Sequence, residues 1–388
     1  MTATPLTDLP KSHRAHFVTG RPVTTEVVVG RGLLRDPVAA LAQGPEARQS
    51  PLVVCTDHTV ASLYAHPFVE RLRATGQTVH LMIMPDGEQA KTLAQYQRLV
   101  TAILDRGIDE YSELVALGGG VVCNVTGMLA ATLYRGLGLV HVPTTLMAQA
   151  DAAISHKQAL NGHRGKNLVG AYYAPRRVVV DVEALQTLET RRIRDGYAEI
   201  IKHGLAQDAG LLDDLLAHGG DVRDLDVAQT MVQRTVDLKC AVMASDPTER
   251  VEGMVLQYGH AIGHAVEWGS NFALLHGEAV AVGMRVAARI ARRMGLSDGA
   301  TEQLHQRALD HFGLPSRVPE GLDGRAVLAG LKDDKRARVS AGAHLALVAA
   351  PGRLAQVEGR TALPVPDAVI VEAVDALQAW RTPWASRA

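Results

Sequence analysis

The sequence predicts an α/β domain built on a mostly parallel, Rossmann-like sheet, followed by a mainly α-helical domain. Through the first half, short apolar runs of strand length alternate with stretches of helical period, the pattern of β-α units. From about residue 184 those runs give way to apolar residues at three- and four-residue spacing. A length of 388 residues accommodates two such units. The chain therefore divides into an N-terminal extension over 1–20, an α/β domain over 21–183 and a helical domain over 184–388.

Residues 27–29, 52–56, 79–84, 114–117 and 139–142 read as strands, each a run of branched or long apolar side chains. Several end in turn chemistry: Thr56-Asp57, Pro85-Asp86-Gly87, Gly118-Gly119-Gly120 and Pro143-Thr144-Thr145. Open parallel sheets bind ligands at the carboxyl ends of their strands, so this series of loops is where a nucleotide would sit. In the second half, 191–206, 226–244, 254–267 and 277–294 read as helices. AHLALVAAPGRLAQVEG reads as a short hairpin turning at Pro351-Gly352.

Composition narrows the function. The 40 Lys+Arg balance 41 Asp+Glu to a net charge of −1, which excludes a nucleic-acid binder held by a basic face. Apolar residues at 47% and charged residues at 21% exclude disorder and fibre. Aromatics at 4% are too few for stacking platforms. The first twenty residues are polar and broken by Pro and charges, so neither a signal peptide nor a membrane anchor is expected. Three cysteines without a CxxC pair fit reduced thiols, and the expectation is a cytoplasmic protein.

Three constellations carry chemistry. LVALGGGVVCNVTG sets three glycines between a strand and a helix, with Asn124 near the helix start. Backbone can approach a phosphate closely there, and free N–H groups face its charge. The spacing is not GxGxxG, so the usual dinucleotide fingerprint is absent. YGHAIGHAVE and LLHGEAV place His260 and His264 four apart, with His276 sixteen residues after His260. Alone, such a pair is more often structural; with Glu199 of YAEIIKHG it forms a carboxylate-and-imidazole set that leaves a coordination position open for substrate. Lys157, Lys166, Lys202, Lys239, Lys335 and Arg135 stand in apolar context, where cations are seldom buried unpaired. Converging on one cleft, they suit a phosphorylated substrate.

Taken in order, PDGEQAKT, GGG, YRG, VPTT, GKN, AExxK, GHxxGHAVE and HGEAVAVGM resemble the sugar-phosphate cyclases of the dehydroquinate synthase superfamily, over about 27–363. The resemblance implies an NAD-binding α/β domain, a helical metal-binding domain and a homodimer, while the charge balance and the lack of a spanning apolar run lead to the expectation of no nucleic-acid or membrane partner. It implies that Asp57, Glu88, Lys91, Gly119, Gly120, Asn124, Thr144, Thr145, Asp151 and Lys166 hold NAD. Glu199, His260 and His276 would ligate zinc or cobalt. Lys157, Asn167, His264 and Lys335 would surround the substrate phosphate, with Arg135 reaching across from the other subunit, and Lys202 and Lys239 would face substrate hydroxyls. The implied reaction is transient oxidation by NAD, elimination of phosphate, re-reduction and intramolecular aldol closure.

Departures from the pattern bear on the substrate. Dehydroquinate synthases typically carry GD after the glycines, KTAVN, and an arginine four positions before the asparagine of RxxLNxGH. This chain has Cys123-Asn124, KQALN and Gly253 followed by Gln257. Gly253 cannot hold a substrate carboxylate, so a substrate without one fits better. These features are similar to the 2-deoxy-scyllo-inosose synthases, which cyclise glucose 6-phosphate in aminoglycoside pathways. Those enzymes usually carry Glu at Gln257, where a neutral amide cannot accept a proton. The alternatives are a 3-dehydroquinate synthase, a sedoheptulose 7-phosphate cyclase making a valiolone-type product, and an alcohol dehydrogenase of the glycerol dehydrogenase type.

Overall fold

A computed structural model describes residues 24–378, apart from 164, 219, 250–251 and 334–341. The N-terminal extension and Lys335 lie outside the described residues. Strands β1 (Glu26–Gly30), β2 (Leu52–Asp57), β3 (Val79–Met84), β4 (Glu113–Gly118) and β5 (Gly138–Pro143) form where the apolar runs predict them. With β8 (Arg177–Asp181) they make one parallel sheet in the order β1-β8-β5-β4-β2-β3.

Alternation along each strand divides the apolar runs between two cores, because successive side chains point to opposite faces. Leu52, Val54, Val115, Leu117, Val140 and Val179 enter one core. Val53, Cys55, Leu114, Ala116, Leu139 and Val178 enter the other, which continues into the helices of the second half. Burial on both faces is why β2, β4 and β5 read as unbroken apolar runs.

Two elements were not expected. β8 joins β1 to β5, and its terminal Asp181 accepts backbone N–H groups from Gly32 at 3.1 Å and Leu34 at 2.9 Å. A hairpin of β6 (Lys157–Gly162) and β7 (Gly165–Tyr172) lies against the helix Gly120–Thr132. Gly127 makes that contact possible: a Cβ there would lie 2.0 Å from Gln158 Oε1.

The second half contains helices Thr190–Ala206, Leu225–Ser245, His260–Gly269, His276–Arg293 and Gly299–His311. The single helix expected over 254–267 is broken. A 3-10 turn at Glu252–Gln257 ends before Gly259, whose φ of 77° is left-handed, and the helix restarts at His260. A side chain at Gly259 would also meet Met284 Cγ at 2.5 Å, so glycine serves both the turn and the packing. Near the end, β10 (Val348–Ala350) and β11 (Arg353–Leu354) form the expected Pro-Gly hairpin, while β9 (Ala343–Ala346) pairs instead with β12 (Ala362–Val365). Among the described residues no helix is long and apolar enough to cross a membrane.

Candidate metal and cofactor site

Arg191, Asp195 and Glu199 recur every four residues on the 190–206 helix and so share one face. That face receives the start of the 276–293 helix. Arg191 donates from Nε and Nη2 to Glu278, both at 2.7 Å, and Asp195 Oδ1 accepts the N–H of Gly277 at 2.6 Å and of Glu278 at 3.2 Å. The approach is so close that a Cβ on Gly277 would lie 2.0 Å from the Asp195 carbonyl oxygen. This docking brings His276, the first residue of its helix, to Glu199 one turn beyond Asp195. A second glycine contact, a Gly283 Cβ position 2.0 Å from the Gly259 carbonyl oxygen, presses the 260–269 helix onto the same partner and adds His260.

The result is a set of ligand atoms from Glu199, His260 and His276, all within 4.8 Å of one another. Glu199 Oε1 stands 3.4 Å from His260 Nε2 and 3.9 Å from His276 Nε2. Glu199 is fully buried, and this oxygen has no hydrogen-bond partner, an arrangement that suits a cation between the three groups. Its other oxygen pairs with buried Lys202. Burial drives the pKa of His260 well below its usual value, which keeps an imidazole lone pair available. His276 Nδ1 lies 3.6 Å from Glu267, which also receives Lys166 Nζ at 2.6 Å. The His264 ring is 5.7 Å from both His260 and His276, beside the ligand set.

The α/β half contributes the carboxyl ends of its strands. Asp57 ends β2 and accepts the N–H of Val60 at 2.8 Å. Gly119 joins β4 to the 120–132 helix, which Gly120 begins, and a Cβ at Gly119 would stand 3.1 Å from Thr145 Cγ2. Thr144 N donates to the Gly118 carbonyl at 3.0 Å, holding the loops after β4 and β5 together. The glycine loop, helix N-terminus and absence of a side-chain cap make a cradle that fits a dinucleotide phosphate. Buried Lys91 donates to Asn124 at 3.0 Å and to Asn167, and lies 3.7 Å from exposed Glu88. Asn167 is thus joined to the nucleotide loops through Lys91. Lys166 instead faces Glu267 and the Phe272 ring, 4.5 Å from its centroid.

Between the halves lies a charged network. Lys239 Nζ is 2.8 Å from Asp151 and 3.4 Å from Glu249, and Lys157 also pairs with Glu249. Burial disfavours the Lys239 ammonium, but Asp151 and Glu249 outweigh it and hold its pKa above the usual value. Burial likewise opposes the Asp151 and Glu249 carboxylates, and the lysines hold both below their usual range. Gln257 Nε2 lies 3.5 Å from Glu249 Oε2. Asn124, Lys157, Asn167, Glu249, Gln257 and His344 are among the residues lining a cavity of about 670 Å³, whose wall also includes Gly259 and Ala261 on either side of His260.

Sequence reasoning missed Glu249, Glu267 and His344. Glu249 sits in a turn with φ 53°, outside any period, although it occurs three residues after Asp246 and four before Gly253. Arg135 is not brought to this cluster within the chain. It is exposed in the turn after the 120–132 helix, about 20 Å of helix from the glycine loop.

Residues 81–195 match the 3-dehydroquinate synthase N-terminal family and residues 196–337 the 3-dehydroquinate synthase C-terminal family. A 2-deoxy-scyllo-inosose synthase from Streptoalloteichus tenebrarius is 40% identical over 85% of this chain and 87% of its own length. A 3-dehydroquinate synthase from Symbiobacterium thermophilum is 39% identical over 84% of this chain and 92% of its own. A crystal structure of 2-deoxy-scyllo-inosose synthase complexed with carbaglucose-6-phosphate, NAD+ and Co2+ superposes with a TM-score of 0.82 at 29% identity, covering 91% of this chain and 96% of that one. On these matches, and with this arrangement of strand-end loops and helical ligands, the chain belongs to the 3-dehydroquinate synthase family.

Proposed function

We propose that the protein is a sugar-phosphate cyclase that converts glucose 6-phosphate to 2-deoxy-scyllo-inosose and phosphate, with NAD and Zn²⁺ or Co²⁺ as cofactors. The observation that carries the reading is the Glu199, His260 and His276 ligand set, gathered to within 4.8 Å, next to a cavity lined by Lys157, Asn124 and Asn167 that reaches Gly259 and Ala261, the neighbours of His260. When bound, the cation would polarise a substrate hydroxyl and NAD would accept and return a hydride.

The chain's own residues then have separable tasks. Asp57, Glu88, Lys91, Gly119, Gly120, Asn124, Thr144, Thr145 and Asp151 hold the cofactor. Lys157, Asn167, His264 and Lys335 neutralise the substrate phosphate as it leaves, and Lys202 and Lys239 orient its hydroxyls. Gln257 donates to Glu249 rather than offering a second carboxylate beside it. Arg135 completes the phosphate site of a second copy in a homodimer. The domain boundary falls near residue 184, and the three free cysteines fit a cytoplasmic location.

Glucose 6-phosphate is favoured over a seven-carbon acid by the surroundings of Gly253. A Cβ there would lie 2.6 Å from Glu249 Cβ and 3.3 Å from Asp246 Oδ2, so a side chain would displace Glu249, and glycine offers none to receive a substrate carboxylate. The test is phosphate release and product mass with NAD⁺ and Co²⁺, using glucose 6-phosphate, sedoheptulose 7-phosphate and the dehydroquinate precursor separately. Release from glucose 6-phosphate with a deoxy-inosose product is expected; release only from a seven-carbon substrate would overturn the assignment.

A further inference from the structure

Behind His260, away from the ligand cluster, a buried hydrogen-bond chain runs into the 299–311 helix. His260 Nδ1 faces the Tyr258 carbonyl oxygen at 3.2 Å. A carbonyl only accepts, so Nδ1 carries the proton and Nε2, the atom facing Glu199, keeps its lone pair. The same Tyr258 sends its hydroxyl to His305 Nε2 at 2.7 Å, with the Met284 carbonyl a longer second acceptor at 3.3 Å, and His305 Nδ1 meets the Thr301 carbonyl at 2.7 Å. By the same rule His305 carries its proton on Nδ1 and accepts the Tyr258 O–H. Tyr258 and His305 are both fully buried.

The helix bearing His305 is fixed in turn. Buried Glu302, three residues earlier, accepts from Arg285 at 3.1 Å, Arg289 at 3.0 Å and Arg292 at 2.8 Å, all on the 276–293 helix that begins with His276. Tyr258 therefore has its hydroxyl anchored to the helix stack and its carbonyl aimed at a candidate ligand. Gly259, left-handed, makes the intervening turn.

We infer that Tyr258 and His305 are positioning residues for the metal: His305 anchors the Tyr258 side chain, and the Tyr258 carbonyl fixes the tautomer and orientation of His260. This rests on the metal reading above. Hydrogen bonds behind a ligating histidine set its basicity and orientation, and their loss commonly costs tenfold or more in metal affinity. Neither residue is among those lining the cavity, so the effect falls on the cation.

The experiment titrates Co²⁺ into the metal-stripped full-length protein and its variants, reading affinity and the visible absorption bands, with circular dichroism reporting the fold. Tyr258→Phe removes one hydroxyl at constant volume, and His305→Leu removes the nearer of its two acceptors, leaving the Met284 carbonyl at 3.3 Å. Each is expected to weaken Co²⁺ binding about tenfold and shift the bands, with the double variant little worse than either. His305→Gln retains an acceptor for the hydroxyl and is expected to stay within about threefold of the unmodified protein. A folded Tyr258→Phe protein with unchanged affinity and bands would overturn the inference, whether or not His305→Leu folds. If the unmodified protein takes up no Co²⁺ that Glu199→Gln abolishes, the metal reading itself fails.

Discussion

The two halves of the molecule hold their candidate site residues by different physics. At the strand-end loops of the α/β half the backbone does it: Asp57 caps a turn, Gly119 opens a helix, and Thr144 binds the Gly118 carbonyl, with buried Lys91 adding side-chain bonds to Asn124 and Asn167. In the helical half and its border, charge does it, with Lys202 on Glu199, Lys239 on Asp151 and Glu249, and Lys166 on Glu267. A backbone cradle is sensitive to an added Cβ and tolerant of much else. A buried charge cluster is sensitive instead to the loss of a charge, since each member holds the charge of another and deletion leaves a partner exposed to the low dielectric.

The largest effect tests the charged half. Glu199→Gln should lower phosphate release by about a thousandfold, roughly 4 kcal/mol of barrier, and abolish retained metal while the fold persists. Full activity with bound metal would break the contrast. Next, Lys202→Met should cost the metal-free protein about 3–5 kcal/mol in urea unfolding, because Glu199 would be left buried without its ammonium. Added Zn²⁺ should recover more stability in this variant than in the unmodified protein, since a cation can take the place of the lysine.

A third prediction compares one buried histidine from each half. Burial lowers the pKa of His141, on β5, and of His305 to about 4. Their unfolded values lie near 6.5, so the unfolded chain binds more protons as pH falls below that point, and stability is lost between about pH 6.5 and 4. At pH 5 each should cost about 2 kcal/mol relative to neutral pH, and His141→Gln should flatten its share of the slope in urea titrations. The smallest effect probes the backbone half. Gly119→Ala, with Thr145 Cγ2 only 3.1 Å from the new methyl, should raise KM for NAD⁺ about tenfold, near 1.4 kcal/mol, and leave Zn²⁺ content unchanged.

The same contrast governs what was legible in the sequence. β2, β4 and β5 were readable because burial on both faces demands unbroken apolar runs, and the edge strands β1 and β3 because their apolar residues still pack on the cores. β8 escaped because its three valines stand between Arg177 and Asp181, and β7 because much of it is exposed. The loops after the strands announced themselves through glycine and threonine. The histidine and glutamate spacing was legible too, but its assembly depended on Gly259, Gly277 and Gly283, whose meaning lies in close approach between helices and has no period. Asp195 and Glu278 cap and clamp that approach across about eighty residues of chain, which no local pattern shows. Glu249 was hidden for the same reason: its importance comes from the lysines that fold around it.

The central claim is that the two halves meet over one substrate, the first lending a cofactor that is regenerated and the second a cation. Its most direct test is turnover of glucose 6-phosphate deuterated at C4, with NAD⁺ and Zn²⁺, following product mass and absorbance at 340 nm. The account predicts a deoxy-inosose that retains the deuterium, with no NADH accumulating. Stoichiometric NADH, or deuterium missing from the cyclised product, would contradict it.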